Sequence, residues 1–324
     1  MKKKLLFLAA LPLMLGVTTG CGSKADFNIG ILQWVPIEAL TKATNGFMDS
    51  VREGMGSRTV SFDVKHAYNE ATTAIPILNN FVATGKNLIM GNATPSVVLA
   101  SNATTSIPIV GTSVTTYEGA FTNPDTGVVN IPANVTGTSD LADLHRQAEM
   151  IFEWVPDATR IGIVYCVNES NSKFQADTIK AELTTIRSDL TFVEIIFSTT
   201  DELTMQLNSK VSQMDVLYIP TDNTCADNAS VIHDYCRPVN LPVIAGEEGI
   251  CKACGLASLT IDYYRLGRIT GQMALEILLN GKSPSDLPIR YDTGVTKIYN
   301  PTILAELGLS ESDVPEGYTP VSLA

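Results

Sequence analysis

Residues 27–33, FNIGILQ, form an apolar run that lacks strict alternation and leads into the helical pattern of Ile37 to Met55. A second β-rich run, Thr59 to Lys65, follows directly. Strands that are apolar on both sides fit a parallel sheet covered on both faces. Working outward, Ala71 to Thr84 reads as a helix, Asn87 to Met90 as a strand, Pro95 to Asn102 as a helix and Ile107 to Gly111 as a strand. Such β-α-β-α order predicts a doubly wound α/β unit.

The pattern pauses from Thr122 to Thr138, a stretch rich in Asn, Pro, Gly and Thr that reads as loop and crossover. A second series begins at Ser139, read as the N-cap of a helix reaching Trp154. Strands are expected at Arg160 to Cys166, Leu190 to Phe197, Asp215 to Pro220, Pro242 to Gly246 and Gly255 to Thr260. Helices are expected at Lys173 to Arg187, Asp201 to Gln213, Cys225 to Arg237 and Tyr263 to Asn280, the last ended by Gly281. The fold class is therefore α/β, with two doubly wound parallel-sheet lobes joined near Gly137.

The N-terminus carries an export signal. Lys2, Lys3 and Lys4 precede an apolar run from Leu5 to Val17, too short to span a bilayer, and Thr18-Thr19-Gly20 lead into Cys21. This resembles the lipobox of bacterial lipoproteins, although Thr18 stands where Leu, Val or Ile is usual. Residues 1–20 would be the signal peptide, Cys21 the lipidated residue and 21–26 a tether. The protein would sit on the extracytoplasmic face of the cell membrane.

Loss of those twenty residues, with three lysines and no acid, takes the formal net charge from −12 to −15. An acidic body argues against nucleic acid, which needs clustered Lys and Arg. No Gly-x-Ser-x-Gly elbow occurs, and Gly281-Lys282-Ser283 lacks the upstream glycine of a phosphate loop. No enzyme activity, cofactor or metal is expected. His66, His145 and His233 lie far apart and read as structural or surface residues. Cys251-x-x-Cys254 reads as part of a glycine-flanked loop, with a disulfide, within the pair or to Cys225 or Cys236, weighed against free thiols and a metal site.

In open parallel sheets ligands bind beyond the carboxyl ends of the strands. The residues there are polar: Gln33 and Trp34, then Gly91 to Ser96, then Gly111 to Thr115. In the second lobe they are Asn168 to Ser172, Thr221-Asp222-Asn223 and Gly246-Glu247-Glu248. Hydroxyls and free N–H groups at helix starts favour a carboxylate, whereas Asp222, Glu247 and Glu248 favour an ammonium, so facing lobes would suit a zwitterion. The alternative is that Thr94, Ser139 and Asp222 are plain N-caps. Trp34, Tyr117 and Tyr165 are candidates to stack on an aromatic ligand.

The segments Ile29 to Gln33, Ala93-Thr94-Pro95, Ile107 to Val110, Asn134 to Gly137, Arg160 to Tyr165, Pro220 to Asn223, Gly246 to Glu248 and Ile261 to Gly267 resemble the tryptophan/tyrosine-type ABC transporter substrate-binding proteins. That resemblance implies a type I periplasmic-binding-protein fold, with 27–137 plus about 262–290 in one lobe and 138–261 plus about 291–324 in the other. It implies that Thr94, Ser96, Thr112 and Ser113 hold a ligand carboxylate, that Asp222, Asn223 and Glu247 address its amino group, and that Asn168, Asn171 and Ser172 close over it. The implied partners are an amino acid, an ABC permease and its ATPase. The chain departs from the family at Ile37-Glu38, where a His-Pro pair is usual, and at Cys251 and Cys254. A sugar or nucleoside binder of the same fold and a ligand-sensing receptor module are the competing readings.

Overall fold

The computed structural model describes residues 25–123 and 125–322; the signal segment and Cys21 lie outside the described residues. The first series runs β1 (Phe27–Gln33), α1 (Glu38–Gly54), β2 (Val60–His66), α2 (Ala71–Ala83), β3 (Leu88–Asn92), α3 (Thr94–Ala103), β4 (Ile109–Val114), a short α4 (Tyr117–Ala120) and β5 (Val135–Ser139). The second runs α5 (Leu144–Trp154), β6 (Arg160–Cys166), α6 (Ser170–Ile186), β7 (Thr191–Phe197), α7 (Thr200–Lys210), β8 (Val216–Ile219), α8 (Asn223–Asp227), α9 (Ala229–Cys236), β9 (Val243–Ala245), α10 (Glu248–Ala253) and β10 (Ala257–Thr260). The chain ends with α11 (Tyr263–Asn280), β11 (Arg290–Tyr291), β12 (Thr296–Tyr299), α12 (Pro301–Glu306) and β13 (Thr319–Pro320).

One sheet has the order β11-β5-β4-β3-β1-β2, the other β13-β12-β10-β9-β8-β6-β7. Both share one winding, with the second strand at an edge and the first beside the third. The order therefore reverses at β1/β3 and at β6/β8, the places where such sheets open a crevice. Among the strands named above every pairing is parallel except β10 with β12. Each sheet is covered on both faces by apolar clusters, such as the one built on Ile31, Phe47, Met90 and Met273 in the first lobe. That two-sided burial explains why β1, β3 and β4 read as unbroken apolar runs.

The helix α11 follows the last strand of the second series but packs along α1. A Cβ added to Gly46 would collide with the Tyr264 carbonyl, and one on Gly267 with the Ala43 carbonyl. Glycine at these two contacts lets the helix backbones approach. Arg290–Tyr291 then pairs with Thr138–Ser139 in the first sheet, and Thr296–Tyr299 joins the second. The chain thus passes between lobes after β5, after β10 and after β11.

Three local expectations change. Ser139 does not cap a helix: it ends β5 and its hydroxyl donates to the Thr115 carbonyl at 2.7 Å, while Asp143 caps α5 by accepting from Arg146 N at 3.1 Å. The strand β5 lies inside the stretch read as loop because its threonines are polar yet satisfied. Thr136 donates to the Leu287 carbonyl and Thr138 meets Thr270, both at 2.8 Å. Finally, Cys251 and Cys254 form no disulfide. Both are buried free thiols, as are Cys166, Cys225 and Cys236. Cys251 sits on α10, not in a loop, and both pack into the apolar cluster beside Ile232, Ala245 and Ile250. Burial pushes both thiols well up, the reverse of a redox-active pair.

Candidate ligand site between the lobes

The carboxyl ends of both sheets face the crevice, but only some of the expected site residues line it. Gln33 is consumed by structure. Its amide donates to the Val35 carbonyl (2.9 Å) and to Thr41 (3.1 Å) and accepts from Thr44 (2.8 Å). Trp34 is buried in the first-lobe cluster with Val35, Ala93 and Val97, and Tyr165 in the second-lobe cluster with Ile163 and Tyr218. Tyr117 is likewise buried beneath β4 and β5, its hydroxyl near the Thr136 and Thr138 carbonyls. None of these rings lines the crevice.

At the β3 end Ala93 adopts φ 82° and leads into α3, whose first turn carries Thr94 and Ser96. Both hydroxyls are buried without a partner among the described residues. Thr94 lines the crevice and Ser96 lies beneath it, fully buried. At the β4 end Thr112 accepts from Thr138 at 3.3 Å within the sheet. Ser113 follows in the left-handed region, φ 55°, where the β4–β5 register slips between Gly111 and Val114. That irregularity aims a non-glycine residue in a costly conformation at the crevice, and such strain concentrates at functional sites.

In the second lobe the acids are tied to backbone. Asp222 caps α8: its carboxylate accepts from Cys225 N and Cys166 N, both at 2.7 Å. Glu247 caps α10, accepting from Gly249 N (2.7 Å) and Ile250 N (2.5 Å). Asn223 donates to Glu169, whose carboxylate also accepts from Thr224. Asn168 is exposed. Asn171 donates through Nδ2 to the Thr221 carbonyl (3.1 Å) and to Ser172 (3.3 Å). Ser172 is fully buried behind it.

Two groups escaped the reading of the loops because they lie on the crossovers between lobes. Asp140 follows β5, and the hydroxyl of Tyr263, at the start of α11, donates to its Oδ2 at 3.0 Å. The Asp140 Oδ1 has no partner among the described residues. Glu169 lies within the Asn168 to Ser172 stretch that the sequence singles out, but its spacing gives no sign of the carboxylate's tie to Asn223 and Thr224.

Residues of both lobes wall two cavities that share Asn171. One, of about 10 Å³, is lined by Ser113, Asp140, Asn171, Asp222, Glu247 and Tyr263 among others. The other, of about 440 Å³, lies against Thr94, Glu118, Ala120, Asn171 and Phe174. Among the described residues no Lys or Arg lines either. Burial without a compensating cation pushes Asp140 up to about 6 and Glu247 up to about 7, the latter resisted by the N–H groups it caps. Glu169 is pushed up to about 7 by burial and then by neighbouring Asp222, and burial raises Asp222 too.

Two like-wound lobes meeting over a shared crevice give the chain a type I periplasmic-binding-protein fold. The chain matches the model of the ABC transporter substrate binding protein family over residues 28–314 and belongs to that family. It is a substrate-binding protein and not an enzyme. A tyrosine-binding protein of Clostridioides difficile (strain R20291) is 33 % identical over 275 residues, 82 % of this chain and 76 % of that one. The structure of an ABC domain from Streptococcus pneumoniae in complex with L-Trp superposes with a TM-score of 0.81 at 28 % identity, covering 91 % of this chain and 99 % of that one. The ligand-free, open structure of a Clostridium difficile substrate-binding protein with adhesive properties gives 0.67 at 33 % identity, covering 91 % and 100 %.

Proposed function

We propose that the chain captures an aromatic amino acid in the crevice, as a lipoprotein anchored through Cys21 outside the cytoplasmic membrane, and hands it to an ABC permease and its ATPase for import. The observation that carries this reading is the composition of the shared cavity walls. Buried acids without a cation line one part, and the unpartnered Thr94 hydroxyl at the first turn of α3 lines the other. A ligand with an ammonium and a carboxylate answers both. The larger cavity lies within the ~300–1,000 Å³ usual for small-molecule sites, and Ala120 and Phe174 offer it apolar surface. The relatives' ligands, tyrosine and tryptophan, favour an aromatic side chain there. The chain also superposes better on the tryptophan-bound relative than on the open one, despite lower identity to the former, which supports a closed arrangement here.

The test is a thermal-shift panel of the twenty amino acids and common sugars on residues 22–324. A ligand at 100 times its Kd should stabilise by about 2.7 kcal/mol. The reading expects tyrosine or tryptophan to lead; a sugar that leads would overturn it. For the anchor, Cys21→Ala in the full chain should move the protein from the detergent to the aqueous phase, and unchanged partitioning would remove lipidation.

A further inference from the structure

Three buried atoms without a partner among the described residues belong to the walls of the small cavity: Asp140 Oδ1, Asn171 Oδ1 and Ser113 Oγ. Their residues are each 5 % exposed. They come from three places: the end of β4 in the first lobe, the crossover after β5, and the start of α6 in the second lobe. We infer that these three atoms form a socket for one primary ammonium group, so that the protein requires a primary amine and rejects N-alkylated ligands. The inference rests on the proposed reading that the ligand lies between the lobes, and it names what recognises the amino end.

The donor and acceptor inventory sets the polarity of the occupant. A carboxylate oxygen only accepts, and a serine hydroxyl can accept. Asn171 could present either end of its amide, but its Nδ2 already faces the Thr221 carbonyl, an acceptor, so the oxygen is the end left over. The occupant must therefore donate to the carboxylate and to the amide oxygen and can donate to the hydroxyl as well, and a primary ammonium carries an N–H group for each. Size agrees, since a space of about 10 Å³ takes a group near the size of one water. A methyl on the nitrogen would both remove a donor and need volume the cavity lacks.

Charge singles out Asp140 among the acids nearby. Both oxygens of Asp222 and both of Glu247 already accept from backbone N–H groups. Asp140 gives one oxygen to the Tyr263 hydroxyl and keeps the other open. Tyr263 is thus a positioning residue that fixes which oxygen faces the cavity. Ser113 is presented by the strained turn at the end of β4, a conformation the fold tolerates where it places a group. Because Asn171 also lines the larger cavity, a ligand whose nitrogen fills the socket can extend its remaining atoms there.

Titration calorimetry on residues 22–324 decides the matter, with L-tryptophan, N-methyl-L-tryptophan and indole-3-propionic acid, and the tyrosine counterparts if tyrosine binds better. The socket predicts that N-methylation and loss of the amine each weaken binding by about 30-fold or more, the loss usual for an unanswered buried charge. Asp140→Asn should cost a similar factor, and Asn171→Ala and Ser113→Ala about 3- to 10-fold each. An N-methyl analogue bound within threefold of its parent would overturn the socket. So would a folded Asp140→Asn variant with unchanged affinity. If that variant does not fold, the analogue series on the unaltered protein still decides. Amino acid binding without this discrimination sinks the socket alone, whereas failure of every amino acid to bind sinks the functional reading with it.

Discussion

Lys42 of α1 lies 3.0 Å from Glu248 of α10, so an ion pair bridges the two lobes at the rim of the crevice. The reciprocal pair joins Lys252 to Glu38 at 2.6 Å, and each lysine also pairs within its own helix, Lys42 with Glu38 and Lys252 with Glu248. The four side chains therefore form a closed ring of alternating charge across the gap. All are partly exposed, and such pairs contribute only about 0.2–1 kcal/mol each. Replacing both Lys42 and Lys252 by Ala should raise the ligand Kd by about 2- to 10-fold. The wild-type Kd should also rise between 50 and 500 mM salt, less so in the double variant. Calorimetry at the two salt concentrations measures both, and an unaltered Kd in the double variant would show that the ring does not hold the lobes together.

Buried Asp140 and Glu247 set one pH trend for folding, and Asp140 sets the opposite trend for binding. Asp140, at about 6, and Glu247, at about 7, are raised by burial above ordinary carboxylate values. Between the ordinary and the raised values the folded chain binds more protons than the unfolded one, so stability falls as pH rises through that window. The ligand-free melting temperature should therefore rise from pH 7.5 to pH 5, a trend that the His145–Glu182 pair reinforces. An ammonium ligand needs the charged carboxylate, so its affinity should fall by about tenfold per unit below pH 6 for one group. The groups facing Asp140 are Tyr263 and Tyr117, both pushed further up and neutral throughout this range. Tyr263→Phe removes a hydrogen bond that holds the Asp140 carboxylate down, so the acid limb of binding should move to higher pH. A limb that stays in place would show that Tyr263 only fills space.

Glu247 and Glu169 should matter more to stability than to recognition. Glu247→Gln weakens the cap of α10, and Glu169→Ala strands the N–H groups of Asn223 and Thr224 at the start of α8. Each should cost about 1–3 kcal/mol, a melting drop of roughly 2–10 °C in a chain this long. Ligand affinity of Glu247→Gln should change less than fivefold once the protein is folded. A loss of a hundredfold without a change in melting would return Glu247 to direct contact with the ligand.

The five thiols of the folded body are buried and unpaired, with Cys236 pushed up to about 12. On residues 22–324 a thiol reagent such as DTNB should find almost none reactive in the native state and all five after denaturation. Fewer than five after denaturation without reductant would reveal a disulfide.

Much of the fold could be read from the chain because its core elements combine apolar runs with clear stops. The strands Phe27–Gln33 and Arg160–Cys166 and the helix Tyr263–Asn280 have the bounds that hydrophobicity and Gly281 mark out. The strand β5 was hidden because Thr136 and Thr138 are satisfied by partners more than 100 residues away. The general place of the crevice was legible from the polar strand ends. Several residues that line it were legible too, Thr94, Ser113, Asn171, Asp222, Asn223 and Glu247 among them, but what each is bonded to was not. Asp222 and Glu247 turn back to cap their own helices, Gln33 is used up bracing the first loop, and Asp140 meets Tyr263 across 123 positions. Local spacing cannot report a pairing that exists only once two lobes have met.

A ligand held between the lobes should draw them together. X-ray scattering of residues 22–324, alone and with saturating ligand from the thermal-shift panel, tests it most directly. The radius of gyration should shrink with ligand and reach the value calculated for the closed arrangement. A ligand shown by calorimetry to saturate the protein, yet leaving an open, extended scattering curve in place, would contradict it.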